Sequence, residues 1–168
     1  MNKKSQIEEI EVYLSLVQFL EQLGWNIICG SPPSGTNARF HKCLIPRRDL
    51  NGMERGPRDE VDLIAYKQEV IVIIECKPKL SDSFSKRNIL SETDYEKLNR
   101  IIRTFKTAEL VSIIRRVTGL SIPDCTDITV ALSVGIVDIN LPEDITVFEM
   151  TSKKHEVWST GILRDRFS

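Results

Sequence analysis

Paired cysteine motifs, neighbouring histidines and long apolar runs are all missing from this sequence. Its four cysteines (Cys29, Cys43, Cys76 and Cys125) form no CxxC pair and are too sparse for a disulfide scaffold. Reduced thiols in a cytoplasmic protein are therefore expected. The two histidines, His41 and His155, lie far apart, which argues against a zinc site. No apolar run approaches the roughly 20 residues needed to span a bilayer, and the opening MNKKSQIEEIE lacks the apolar stretch of a signal peptide. A net charge of −1 removes any global electrostatic signal for nucleic acid. What remains, in 168 residues with 41% hydrophobic and 28% charged side chains, is the composition of a soluble globular chain. A single domain over residues 1–168 follows, with one core and no internal repeat.

The charge is unevenly spread. Residues 77–116 hold ten Lys/Arg against five Asp/Glu, whereas residues 121–150 hold six Asp/Glu and no Lys/Arg. The molecule is expected to be dipolar, with one cationic face.

Residues 6–23 have a helical pattern. Ser5 and Glu8 make an S-x-x-E capping box, and Ile10, Val12, Tyr13, Leu14, Leu16, Val17 and Leu20 share a broad apolar arc. Glu9 falls inside that arc, where it reads as a first-turn acid favouring the helix dipole. WNIIC (25–29) predicts a short strand. Residues 30–60 then read as a long cationic loop containing the candidate strand ARFHKCLI. A long helical region is expected from about Ser91 to Thr118, with Lys97, Arg100, Arg103 and Lys106 spaced three apart, followed by strands in DITVALSVGIVDI and DITVFEM. The order α-β-(β)-β-β-α-β-β predicts a mixed β-sheet covered by helices, a fold of the α/β class.

The segment VDLIAYKQEVIVIIECK (61–77) is the most apolar stretch of the chain, yet it carries Asp62, Glu75 and Lys77. As a hairpin turning between Gln68 and Glu69, it pairs residues whose numbers sum to 137, which sets Asp62 opposite Glu75 on one face. Gln-Glu is a poor two-residue turn, because neither residue favours positive φ. A four-residue loop from Lys67 to Val70 keeps the same register, whereas a three- or five-residue loop shifts it. Opposed carboxylates with Cβ atoms about 5 Å apart repel by about 3 kcal/mol at an effective dielectric of about 20. A hard divalent cation with oxygen ligands would offset this. Lys77, two residues beyond Glu75, projects from the same face. Two carboxylates and an ammonium converging on one sheet edge suit metal-assisted hydrolysis of a phosphodiester.

With VDLIAY…VIVIIECK and its α-β-β-β-α-β surroundings, the chain resembles the PD-(D/E)xK, or restriction-endonuclease-like, nuclease superfamily. The resemblance implies a restriction-endonuclease-like fold and a Mg²⁺-dependent nuclease, with Mn²⁺ able to substitute. Asp62 matches the first acidic position, Glu75 the second and Lys77 the lysine. The backbone carbonyl of Cys76 matches a further metal ligand beside Asp62 and Glu75, and Glu9 (or its neighbours Glu8 and Glu11) matches a first-helix glutamate. Val61 stands where the motif has proline.

An endonuclease acting on DNA, of restriction or defence type, is the resulting expectation. Arg39, Lys42, Arg47, Arg48, Arg55 and Arg58 of the cationic loop, with Lys97, Arg100 and Arg103 of the basic helix, would grip phosphates. A homodimer would supply the second site that duplex cleavage needs. Two alternatives stand beside it: a Holliday-junction resolvase, and a catalytically inactive module of the same fold that binds nucleic acid or a protein partner.

Overall fold

A computed structural model describes residues 8–33, 39–86, 91–124, 127–142, 144–159 and 167. Helix α1 (Glu9–Gln22) leads into strand β1 (Asn26–Gly30). A separate two-stranded ribbon pairs β2 (Cys43–Ile45) with β3 (Asp59–Val61). Strands β4 (Leu63–Lys67) and β5 (Val70–Lys79) form the hairpin, which runs into a 3-10 segment, Leu80–Phe84. Helices α2 (Asp94–Thr104) and α3 (Thr107–Thr118) precede β6 (Asp127–Ile136), β7 (Thr146–Thr151) and β8 (Lys154–Trp158).

The described residues form a mixed six-stranded sheet in the order β1-β4-β5-β6-β7-β8, flanked by helices. The β5–β6 and β6–β7 pairs are parallel and the others antiparallel. Parallel neighbours cannot be joined by a tight turn, and α2 and α3 make the crossover from β5 to β6. Strand β5 is buried on both faces, which explains its unbroken β-branched run rather than an alternating pattern. Val70, Val72, Ile74 and Cys76 pack toward α1, against Val12, Leu16 and Leu20. Ile71 and Ile73 pack in the opposite layer with Leu98 and Ile101 of α2 and Leu110 and Ile114 of α3. Fully burying each such side chain contributes about 1.5–3 kcal/mol.

Several expectations are revised. Helix α1 starts at Glu9 with Glu8 as its N-cap, later than anticipated, and Ser5 lies outside the described residues. Leu14, assigned to the apolar arc, is 42% exposed, while Ser15 is buried. The long helical region divides in two, because Phe105 turns extended (φ −118°) to drive its ring into the core. A capping box in which Thr93 and Glu96 satisfy each other's backbone N–H groups fixes the start of α2. The candidate strand ARFHKCLI shortens to β2, and β8, a polar edge strand, was not anticipated. Cys29 is disulfide-bonded rather than reduced, whereas Cys76 is a buried free thiol.

The hairpin has the anticipated register, from Leu63↔Ile74 to Lys67↔Val70. Its turn, however, is the two-residue one. Gln68 (φ 48°) and Glu69 (φ 67°) both adopt the left-handed conformation that such turns require, at a cost for side chains bearing Cβ. Replacing Gln68-Glu69 by Asn-Gly is expected to raise the unfolding free energy by about 1 kcal/mol. Urea denaturation measures this, and an unchanged midpoint would mean the turn carries no strain.

Candidate functional site

Asp62 sits at the bend where the β3 ribbon passes into β4, one residue short of the paired hairpin. Its Oδ2 accepts a hydrogen bond from the backbone N–H of Cys76 at 2.7 Å. The side chain thereby takes the position beside Cys76 that a further β4 residue would occupy. Within a strand, a residue's N–H and C=O point to the same neighbour, so the Cys76 carbonyl is also directed toward the Asp62 side. Glu75, 3% exposed, hydrogen-bonds Asp62 through its own carboxyl. The anticipated juxtaposition of Asp62 and Glu75 is present.

Two ammonium groups face this pair. Lys77 Nζ lies 3.1 Å from Glu9 Oε1 and 3.7 Å from Asp94 Oδ2. Glu9 is thus not a freely solvated first-turn acid but a brace for Lys77, and Glu11 instead accepts from the Ser152 backbone N–H and hydroxyl. Lys97, grouped by its spacing with the DNA-gripping residues, turns inward. Its Nζ donates to Glu75 Oε1 at 2.9 Å and to the Glu60 carbonyl at 2.6 Å. Asp94 and the inward role of Lys97 went unrecognised in the sequence. The T-D-Y-E capping box at 93–96 was the available signal: it places Asp94 in the first turn of α2, and Lys97 lies three residues on, along the same helix face.

Burial drives the titration of the pair. It raises the Asp62 carboxyl to about 6, against the hydrogen bonds from Cys76 and Glu75 and the charge of Lys77. Glu75 is raised well above its ordinary range by burial and by repulsion from Asp62, with Lys97 opposing. The two titrate as a unit. Lys77 shifts upward despite burial, because Asp94 and Glu9 favour its charged form. Four carboxylates (Glu9, Asp62, Glu75, Asp94) and two ammoniums (Lys77, Lys97) thus meet among the described residues, and Glu9 and Asp94 add to the repulsion that the buried pair feels. A divalent cation held between Asp62 and Glu75 would offset that repulsion.

The donor set fits such an ion in chemistry. Two carboxylates and a backbone carbonyl are hard oxygen ligands, suited to Mg²⁺ with water or phosphate oxygens completing its shell. Among the described residues no group of three or more His, Cys, Asp and Glu side chains forms a ready cation cage. Any ion here would rest on the two-carboxylate set.

The remaining basic residues divide. Arg47 and Arg100 both hydrogen-bond the buried Asp59. Burial alone would raise the Asp59 carboxyl, but these hydrogen bonds outweigh it and hold it below its ordinary value. Arg100 also grips Glu92. This network ties β3, and with it the bend at Asp62, to α2. Arg39 pairs with Glu21, and Arg48 pairs with Glu109 while its guanidinium covers the Phe105 ring. Lys42, Arg55, Arg58 and Arg103 are exposed, Arg55 in an ion pair with Asp49. Arg47, Arg48, Arg55 and Arg100 line a pocket of about 340 Å³.

The Tyr13 hydroxyl, one turn beyond Glu9 on α1, is buried without a hydrogen-bond partner among the described residues and lies against Gly30. A Cβ at Gly30 would overlap it, so only glycine permits this approach. Burial, and then the Cys76 and Asp62 groups, push the Tyr13 phenol up to about 12.

Comparison of the chain with protein-family models, with curated proteins and with solved structures finds no match. No described helix is long and apolar enough to cross a membrane.

A carboxyl whose folded pKa is raised favours folding when protonated and opposes it once ionised. Metal-free stability is therefore expected to decline as pH rises from the ordinary aspartate value of 3.8 through about 6. Asp62→Asn should remove much of this decline and stabilise the metal-free protein at pH 7 by about 1 kcal/mol or more. Melting curves of both proteins across pH, with chelator present, measure the difference. Parallel curves would show that Asp62 ionises without penalty.

Proposed function

We propose that the chain is a divalent-metal-dependent endonuclease that hydrolyses DNA phosphodiester bonds, of restriction or defence type, with a restriction-endonuclease-like fold. The observation that carries this reading is the convergence of the buried Asp62 and Glu75 carboxyls beside Cys76, with Lys77 braced next to them by Glu9 and Asp94. Mg²⁺ or Mn²⁺, held by Asp62, Glu75 and the Cys76 carbonyl, would supply a Lewis acid and an activated water. Lys77 keeps its charge through Asp94 and Glu9, so an ammonium stands ready to orient water or to offset charge building on the phosphate. Glu9 acts through Lys77 by fixing where the ammonium sits. Lys42, Arg58 and Arg103 are exposed toward solvent, where they can meet the phosphate backbone, and Arg39, Arg48 and Arg55 can join them by exchanging a surface carboxylate for a phosphate.

Asp62→Ala, Glu75→Ala and Lys77→Ala are each expected to lower plasmid cleavage in Mg²⁺ by about 100-fold or more while the circular dichroism spectrum is unchanged. Near wild-type cleavage by any one of them would remove that residue from the site. Glu9→Gln should cost about tenfold, as expected for a residue that orients another, and Glu11→Gln little.

Duplex cleavage needs a second site of opposite orientation, and a two-fold dimer provides one. A homodimer is accordingly expected, with linear product appearing as the dimer forms. Light scattering across a concentration series, beside product analysis on intact and nicked plasmid, checks it. A DNA-bound monomer yielding only nicks would overturn the dimer.

A further inference from the structure

Lys97 stands where a metal ligand's counter-charge would be needed in the absence of metal. Its ammonium lies 2.9 Å from Glu75 Oε1, with the side chains only 12% and 5% exposed. The arrangement differs from that of Lys77, which forms its ion pairs with Glu9 and Asp94 rather than with Glu75. Lys97 also has a second acceptor that belongs to no site carboxylate, the Glu60 carbonyl at 2.6 Å. An ammonium with that anchor can release Glu75 without being left unsolvated. Its helix is held independently, by the Thr93–Glu96 capping box and by the grip of Arg100 on Asp59.

We propose that Lys97 is a placeholder counter-ion, which occupies Glu75 until a divalent cation takes that carboxylate and then gives it up. The inference rests on the reading of Asp62 and Glu75 as cation ligands and assigns a task that reading leaves open: how two buried carboxylates are tolerated before metal arrives. An ammonium and a metal ion compete for the same oxygens and repel one another across them. Lys97 therefore stabilises the metal-free fold and weakens the affinity for the cation. A lysine that merely supported the structure would do the reverse to affinity, because losing it would loosen Glu75.

Calorimetric titration of Mg²⁺, and separately of Ca²⁺, into wild type, Lys97→Gln and Lys97→Arg tests the proposal. Lys97→Gln is expected to melt below wild type in chelator, yet to bind the cation about tenfold more tightly, while Lys97→Arg restores wild-type affinity. Equal or weaker binding by Lys97→Gln, with wild type binding normally, overturns the placeholder and leaves the cation site standing. Absence of binding by wild type to either ion overturns both. A measurement on the unaltered chain covers the case in which Lys97→Gln does not fold. Reductive methylation of Lys97, followed by peptide mass spectrometry, should quicken severalfold when Mg²⁺ is saturating, because the amine leaves Glu75. An unchanged rate overturns the proposal.

Discussion

The hydrogen bond from the Cys76 N–H to Asp62 Oδ2 is the contact on which the arrangement of the site depends. The ladder between β4 and β5 ends at Leu63↔Ile74, and beyond it β5 would present unpaired backbone on that side. Asp62 terminates the ladder with its side chain instead of its main chain. One carboxylate thus satisfies a backbone donor and is pinned beside Glu75. Burial makes that pinning costly, since two carboxylates in little water resist joint ionisation. Two ammoniums answer that cost, Lys97 from α2 and Lys77 from β5 itself, whereas Glu9 and Asp94, from the first turns of α1 and α2, hold Lys77 in place but add to the repulsion.

A second network makes the first possible. Asp59, three residues before Asp62, is held by Arg47 and Arg100, and Arg100 is held in turn by Glu92. Buried charge pairs contribute little net stability, but removing one member leaves the others unpaired at a cost of about 3–5 kcal/mol. Such a network gives direction rather than strength. It fixes β3 against α2, so that the chain reaches Asp62 from one angle and α2 delivers Lys97 to the same place.

The hairpin was legible because register obeys arithmetic: once the turn is placed, period-two alternation assigns every side chain to a face. The pairing of Asp62 with Glu75 and the position of Lys77 followed from that alone. The turn itself was misjudged, since Gln68 and Glu69 lack the turn preferences of Asn and Gly, and the strands impose the conformation on them. Helix α2 was harder to resolve from α3, because apolar spacing runs through Ile101 and Phe105 into Leu110 without a glycine or proline to mark the break. Lys97 could not be placed from its neighbours in sequence. Its three-residue spacing with Arg100 and Arg103 describes one helix, whereas its partners Glu75 and Glu60 come from the sheet and the ribbon. Strand β8, KHEVW, is an exposed edge whose polarity resembles that of a loop.

The site draws on segments that meet at very different separations along the chain. Asp62, Glu75 and Lys77 are brought together by a two-residue turn, the short connection favoured in hairpins. Lys97 reaches Glu75 across 22 residues, and Glu9 reaches Lys77 across 68. Closing larger loops costs more entropy before any contact rewards it. Loop-closure entropy therefore ranks the contacts of the site: the carboxylate pair closed by the turn costs least to assemble, the reach of Lys97 more, and that of Glu9 most.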